Sequence, residues 1–210
     1  MKRPSSLYAL LAVAGIASGA DAAQSAPERA TSSQHVVLQK QAGTVEFFAV
    51  GWPSALKIHG KGAGPEGDIV LTGDGARGSI AFDLESLETG IALRDRHLKE
   101  NYLQTARYPK ATLALSSIDL KPLPASASYK NASLPFEGVL SLHGAERPVG
   151  GEAKLTREGS KVSAAASFTI DIREFGIDVP SYLGITVAEK VQVKVSFSGT
   201  VEPSHDVAGR

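Results

Sequence analysis

Two long runs of alternating residues near the carboxyl end constrain the fold more than any other feature of the chain. Every second residue is apolar in residues 162–172, and residues 191–201 repeat the pattern with valine, phenylalanine and glycine. Because successive side chains of a strand point to opposite faces, each run predicts a long strand with one buried face. An open edge on such a strand invites aggregation, and closure of the sheet removes that edge. The pattern therefore favours a closed barrel.

Shorter segments of the same kind precede these runs at spacings of about ten residues. The candidate strands cover residues 36–39, 44–52, 56–59, 68–72, 80–84, 111–115, 134–142 and 147–155, and glycine, proline and serine predict turns or loops at 60–67, 73–75 and 122–130. With one helical interruption, this spacing is typical of an antiparallel all-β barrel and not of alternating strands and helices. We predict about eight strands in one domain over residues 34–203.

Residues 86–115 break the alternation. The part from 92 to 103 contains neither glycine nor proline, and Leu98 and Tyr102 fall at helical spacing. These features predict a short helix near residues 92–103 with a narrow apolar stripe, and Asp95 is the expected N-cap. The stripe needs an apolar surface to cover, so we expect this helix to form a lid on the barrel.

The amino end has the pattern of a secretory signal peptide over residues 1–22, with a basic start, a short apolar segment and a small-x-small end. We expect cleavage after Ala22 or Ala23, and a periplasmic or secreted mature protein with no integral membrane segment. Residues 23–33 are small and polar and predict a flexible leader. Residues 204–210 are a polar tail.

Composition excludes several classes of function. The chain has 22 basic and 22 acidic residues, so it offers no basic field for nucleic acid. It has no cysteine, which excludes disulfides, thiolate metal sites and a lipoprotein anchor. His59 and His143 each precede a glycine at the end of a predicted strand, but no second ligand stands at metal-binding spacing, so no metal site is predicted.

Three blocks of this sequence together form a specific signal. They are SLETGIALRDRHLKENYLQTARYPKATLAL at residues 86–115, FEGVLSLHGAERPV at 136–149, and FTIDIREFGIDVP with VAEKVQVKVSF within 168–197. In this order they resemble the YceI-like family of polyisoprenoid-binding proteins. The resemblance covers most of residues 80–201. The amino-terminal part is divergent, because it lacks the family's usual His-Ser pair and carries Pro53 in the second strand.

This resemblance implies an exported, lipocalin-like antiparallel barrel that binds its ligand without catalysis. The implied ligand is a long isoprenoid, either a polyprenyl lipid or an isoprenoid quinone, whose tail lies in an apolar tunnel. Members of the family are often dimeric, so a homodimer is also expected. No other cofactor is implied.

Strand parity selects the side chains expected to line the tunnel. The predicted wall residues are Phe47, Leu56, Ile58, Ile80, Phe82, Leu113, Leu115, Phe136, Leu140, Leu142, Ala164, Ala166, Phe168, Ile170, Val193, Val195 and Phe197. Trp52, Leu98, Tyr102 and Phe175 are expected to close its ends. His97 is expected at the mouth, where its imidazole would donate to a polar head group.

Small residues on the inward faces allow two interpretations. Ala164, Ala166 and Gly138 stand beside large apolar residues, and they either leave a cavity or accommodate bulk from a neighbouring strand. A filled barrel would be a structural or interaction module of the cell envelope. A third hypothesis is a hydrolase or isomerase that uses His97 or His143. Residues one or two positions apart on a helix, such as Asp95 and His97, point in different directions, so these side chains do not converge on one site.

Overall fold

Strands account for most of the computed structural model, which describes residues 33–52, 56–72, 74–121, 123, 128–182 and 185–203. The strands are β1 Gln34–Leu38, β2 Gly43–Trp52, β3 Lys57–Ala63, β4 Glu66–Leu71, β5 Gly75–Asp83, β6 Lys110–Asp119, β7 Ser128–Leu142, β8 Ala145–Glu158, β9 Lys161–Asp171, β10 Ser181–Tyr182, β11 Ile185–Val187 and β12 Lys190–Pro203. Helix α1, Ala92–His97, continues into a π-helical turn, Leu98–Tyr102, and 3-10 turns occupy Lys40–Ala42, Leu84–Ser86 and Ile172–Phe175. The predicted signal peptide and polar tail lie outside the described residues. No helix of the described part is long and apolar enough to cross a membrane.

Eight strands close into an antiparallel barrel in the order β1, β4, β5, β6, β7, β8, β9, β12 and back to β1. The ring closes where Val36 of β1 pairs with Val201 of β12, and both side chains are buried. Closure confirms the predicted all-β barrel of about eight strands. It also pairs the end of β12 with β1, so that this part of β12 is not left as an open sheet edge.

Strands β2 and β3 lengthen the wall toward one end of the barrel. β12 pairs with β2 through residues 192–197 and with β1 through residues 201–203, so β1 and β2 lie end to end along it. β3 pairs with β2 but, within the described residues, forms no ladder with β5. The sheet is therefore open between β3 and β5 at this end.

The segment between β5 and β6 covers that gap. Backbone hydrogen bonds join Lys61 of β3 and Glu88 in both directions, at 2.9 and 2.8 Å. Leu84, Leu87 and Leu103 of the same segment are buried. We call residues 84–109 the lid segment, and its position confirms the predicted helical lid.

The turn predicted at residues 60–67 is shorter than expected, because Gly60 and Gly62 belong to a strand. β3 runs to Ala63 and includes Gly60 and Gly62, and β4 begins at Glu66. The ring of Phe47 lies where a Cβ on Gly60 would stand, so glycine here lets an aromatic ring cross the strand on the inner face. Close approach, and not chain reversal, explains this glycine.

Asp95 is not the N-cap of the lid helix. Ile91 precedes α1 with an extended backbone, and Asp95 lies in the first turn. Its Oδ1 accepts hydrogen bonds from the backbone N–H of Thr89, at 2.7 Å, and from the Thr89 hydroxyl. Gly90 has a φ of +81°, which allows the chain to reverse and bring Thr89 back against the helix. The carboxylate therefore stabilises the approach to the helix.

The loop predicted at residues 122–130 is shorter than expected. β7 already begins at Ser128, and Tyr129 pairs with Arg157 of β8. Residues 122 and 124–127 lie outside the described residues. A turn at His143 and Gly144 joins β7 to β8, with positive φ angles of 52° and 78° at the two positions.

Strands β9 and β12 are the two long alternating runs, and they pair from Lys161 opposite Thr200 to Asp171 opposite Lys190. Their inward faces combine small and large side chains, since Ala164 is opposite Phe197. Opposite Val195 stands another small residue, Ala166. The inward face of β9 and β12 is therefore apolar, and the two alanines leave space inside the barrel.

Candidate ligand-binding cavity

A cavity of about 600 Å³ occupies the inside of the barrel. Drug-sized ligand sites usually have volumes of about 300–1,000 Å³, so this cavity is large enough to hold a ligand. Every strand of the closed ring contributes side chains to its wall, and so do the lid segment and the connection between β9 and β12. Ala164 and Ala166 both face it, whereas the space beside Gly138 is taken by the side chain of Leu113. Both interpretations of small inward residues therefore hold, at different positions.

All of the residues predicted from strand parity and from the lid contribute to the lining of this cavity, except Trp52 and Phe175. In β9 and β12 the parity of the strand determines these positions, because inner and outer residues alternate there without a bulge.

Trp52 lies outside the cavity. β2 extends to Trp52, and its inward residues have odd numbers, such as Val45 and Ala49. Trp52 therefore faces outward and is 73% exposed, with its backbone paired to Thr186 of β11. The prediction that it closes the barrel is wrong because the alternation of β2 places this side chain on the outer face.

Phe175 is a core residue and does not line the cavity. It lies in the 3-10 turn after β9 and is 1% exposed. Its carbonyl oxygen is 3.1 Å from Nδ1 of His143, which donates the hydrogen bond. The residue anchors this turn to the β7–β8 hairpin, so its role is structural and the predicted contact with the cavity is wrong.

Several lining residues had no signal in the sequence analysis. Tyr129 and Leu120 lie at the far end from the lid, where the predicted loop concealed the start of β7. At the lid end, Ile91 and Leu93 line the cavity, and Pro180 and Val187 face it from the connection before β12. The connection has no periodic pattern, so its contribution depends on tertiary packing.

Polar side chains are concentrated where the lid segment meets the cavity. Arg94 is held by Thr89, because its Nε donates to the Thr89 hydroxyl at 2.7 Å and its Nη2 to the Thr89 carbonyl at 2.8 Å. His97 and Tyr102 lie on the same segment, and Ser181 lies on β10. Among the described lining residues there is no carboxylate, so Arg94 is a cation without an acidic partner inside the cavity.

The other two histidines considered for chemistry do not line the cavity. His143 packs against Tyr108, with ring centroids 4.7 Å apart, and its Nε2 is buried without a hydrogen-bond partner in the described structure. His59 stacks on Phe48 on the outer face and lies 3.5 Å from a carboxylate oxygen of Glu46. Within the described residues, no three His, Asp or Glu side chains are grouped as metal ligands would be.

A closed eight-stranded antiparallel barrel with an apolar internal cavity and a helical lid defines a lipocalin-like cavity barrel. Comparison with known proteins identifies the family within this class. The model of the YceI-like domain matches residues 29–198. The chain belongs to the YceI-like family.

Curated relatives are distant and match over part of their length. A UPF0312 protein from Enterobacter sp. (strain 638) is 28% identical over 133 residues, which are 60% of this chain and 63% of that protein. Protein YceI from Escherichia coli O157:H7 is 29% identical over 106 residues, or 47% of this chain and 51% of that protein. The chain thus spans between half and two thirds of the length of these relatives.

Solved structures share the fold at low sequence identity. A polyisoprenoid binding domain from Saccharophagus degradans has a TM-score of 0.61 at 13% identity, covering 82% of this chain and 99% of that one. BcnA from Burkholderia cenocepacia also has a TM-score of 0.61, at 15% identity, covering 77% of this chain and 98% of that one. These similarities support the barrel architecture.

Proposed function

We propose that this protein holds the tail of a long isoprenoid, a polyprenyl lipid or an isoprenoid quinone, inside its barrel and carries or sequesters it without acting on it. The observation that supports this most is the character of the cavity, whose wall is apolar along the barrel and polar mainly beside the lid segment. Such a distribution matches a ligand with a hydrocarbon tail and one polar head.

The free energy of binding comes mainly from the tail. Removal of apolar surface from water is favourable by about 25 cal/mol per Å². Part of this gain is lost to the ordering of a flexible chain and of the ligand itself. A prenyl tail along the cavity therefore needs few polar contacts to bind stably.

The polar head of the ligand would lie beside the lid segment. Arg94 presents a guanidinium that Thr89 already orients, and His97 makes no hydrogen bond to another described residue. Either side chain can donate to a phosphate or carbonyl oxygen. The head groups of both candidate ligand classes contain such oxygens.

The family and its solved members support a binding protein in place of an enzyme. The solved Saccharophagus degradans domain is described as binding polyisoprenoids. The signal-peptide pattern of residues 1–22 supports export to the periplasm or the medium. Both features are consistent with a lipid carrier of the bacterial envelope.

The two other hypotheses fit the cavity less well. A filled barrel would leave no volume of about 600 Å³ beside Ala164 and Ala166. A hydrolase or isomerase needs a second titratable group beside its histidine, and the described lining places Arg94 and Tyr102, but no carboxylate, with His97. His143 faces the protein core.

Mass spectrometry of an organic extract tests the proposal directly. The mature protein would be purified without detergent from a bacterium that makes isoprenoid quinones, and its extract compared with that of an equally purified protein without an apolar cavity. We expect a prenyl lipid in the extract of this protein alone. An extract without prenyl lipid, together with no gain in thermal stability on adding prenyl quinones or prenyl phosphates, would contradict the proposal.

A further inference from the structure

Exposed apolar side chains are concentrated at the lid end of the barrel. Trp52 is 73% exposed, Ile91 53% and Leu93 52%, and these are the largest exposures among the large hydrophobic residues of the described structure. Val50, two residues before Trp52 on β2, is also exposed. Leaving large apolar side chains in water has a free-energy cost, and a group of them marks an interaction surface.

These residues border the opening of the cavity. Ile91 and Leu93 are exposed and also line the cavity, so they stand at its rim. The backbone of Trp52 pairs with Thr186, and the next residue of β11, Val187, lines the cavity. At Ile91 and Leu93 the exposed apolar surface is therefore continuous with the apolar interior. We call Trp52, Ile91 and Leu93 the apolar rim.

We propose that the apolar rim docks on the surface of a lipid bilayer, so that the ligand's tail passes between bilayer and cavity without crossing water. This inference rests on the proposed function, because a membrane is where a long isoprenoid resides. The chemistry of the rim fits this partner. A tryptophan has an apolar body and one polar N–H and favours the membrane–water interface, while isoleucine and leucine favour the acyl boundary.

The charges around the rim determine how docking works. On the outer side of the lid segment, Arg96 and Lys99 lie in the same pocket as Glu88 and Glu100. Mixed charges of this kind give no strong attraction to anionic head groups. Docking therefore depends on insertion of the apolar rim, and it persists at ionic strengths that screen surface charges.

The single tryptophan of the chain makes the rim directly observable. Because Trp52 is the only tryptophan, all tryptophan emission of the protein comes from this position. The experiment records the emission of the mature protein with vesicles of phosphatidylethanolamine and phosphatidylglycerol, at low and high salt. We expect a blue shift at both salt concentrations, and quenching when the vesicles carry brominated acyl chains.

Substitutions separate rim docking from a general effect of apolar surface. Leu93→Asp places a charge on the rim and is expected to abolish the blue shift. Val37→Asp is the matched control, since Val37 is 46% exposed and lies on β1 toward the opposite end of the barrel. Trp52→Ser, measured by flotation with the same vesicles, is expected to lower the bound fraction.

The outcomes distinguish this inference from the proposed function. Unchanged Trp52 emission and no flotation overturn docking, even when the extract contains a stoichiometric lipid. Equal effects of Leu93→Asp and Val37→Asp also overturn it. A blue shift that increases with protein concentration in the absence of vesicles would show that the apolar rim contacts a second copy of the chain. That result would contradict docking on a bilayer. A lipid-free extract contradicts the proposed function, whatever the emission shows.

Discussion

The rings of Phe136 and Phe168 meet edge to face inside the barrel, with centroids 5.8 Å apart and planes at 84°. They belong to β7 and β9, which are separated by β8, and each is in register with Gly151 of β8. A glycine in the middle strand leaves room for the two rings to approach each other over it. Both residues line the cavity.

We predict that Gly151→Ala destabilises the protein by about 1–3 kcal/mol through overpacking. A Cβ at this position would be 2.2 Å from the backbone oxygen of Ser167, and 2.9 Å from both Cε1 of Phe136 and Cβ of Phe168. Urea denaturation measures the change. The control is Gly150→Ala on the outer face of the same strand, where the nearest atom is a backbone oxygen at 3.3 Å. Equal losses for the two variants would contradict the claim that the inner face is crowded at Gly151.

The carboxylate of Asp95 stabilises the start of the lid. Because it accepts two hydrogen bonds from Thr89, and Thr89 in turn holds Arg94, we expect Asp95→Ala to cost about 1–3 kcal/mol of unfolding free energy. We also expect faster release of bound lipid, measured by transfer to acceptor vesicles. Glu100→Ala removes an exposed carboxylate from the same segment and is expected to change neither quantity. If Asp95→Ala changed neither the unfolding free energy nor the rate of lipid release, the hydrogen bonds of Asp95 to Thr89 would not be needed to hold the lid.

The two histidines proposed for chemistry should separate into different roles. His97→Ala is expected to weaken ligand binding by up to about tenfold, the equivalent of one hydrogen bond, without loss of stability. His143→Ala removes the bond to the Phe175 carbonyl and places alanine at a φ of +52°, so it should lower stability by about 1–3 kcal/mol. Ligand titration and urea denaturation of both variants test this. If His97→Ala lowered stability and His143→Ala weakened ligand binding, this assignment of the two roles would be wrong.

The stability of the protein should decline at alkaline pH in part through Tyr129. Burial raises the pKa of the Tyr129 phenol above its ordinary value of 10.0, with Arg157 opposing the shift. The phenolate is disfavoured in the folded state, so the unfolded chain ionises first as pH rises. This stabilising contribution is fully present below about pH 10, and it is lost as the pH rises through the pKa that Tyr129 has in the folded state. Tyr129→Phe should reduce the loss of unfolding free energy between pH 8 and 11. An unchanged slope would contradict the assignment.

Strand periodicity predicted most of the fold because the barrel buries one face of nearly every strand. The runs that became β9 and β12 alternate without interruption, so their inward residues could be identified directly. The same logic was not applied to Trp52, whose even number in β2 places it on the outer face. It also misread Gly60, where glycine accommodates the ring of Phe47 inside a strand. A local pattern does not distinguish these two uses of glycine.

The ends of the cavity could not be predicted in the same way. Phe175 and Pro180 both follow β9 in a connection without periodicity, and only packing decides that Pro180 faces the cavity while Phe175 faces the core. The position of Asp95 depends on the reversal at Gly90. Irregular segments have no repeating constraint, so their side-chain directions follow from tertiary contacts.

The most direct test of the account is the lipid content of cavity-blocking variants. Ala164→Leu combined with Ala166→Leu fills space inside the barrel, whereas Ala165→Leu places the same side chain on the exposed face of the same strand. The measurement is moles of prenyl lipid extracted per mole of folded protein. We predict a near-stoichiometric amount for the native chain and for Ala165→Leu, and a loss of most of it for the double variant. A folded double variant that retains its full lipid content would contradict the claim that the barrel holds the ligand.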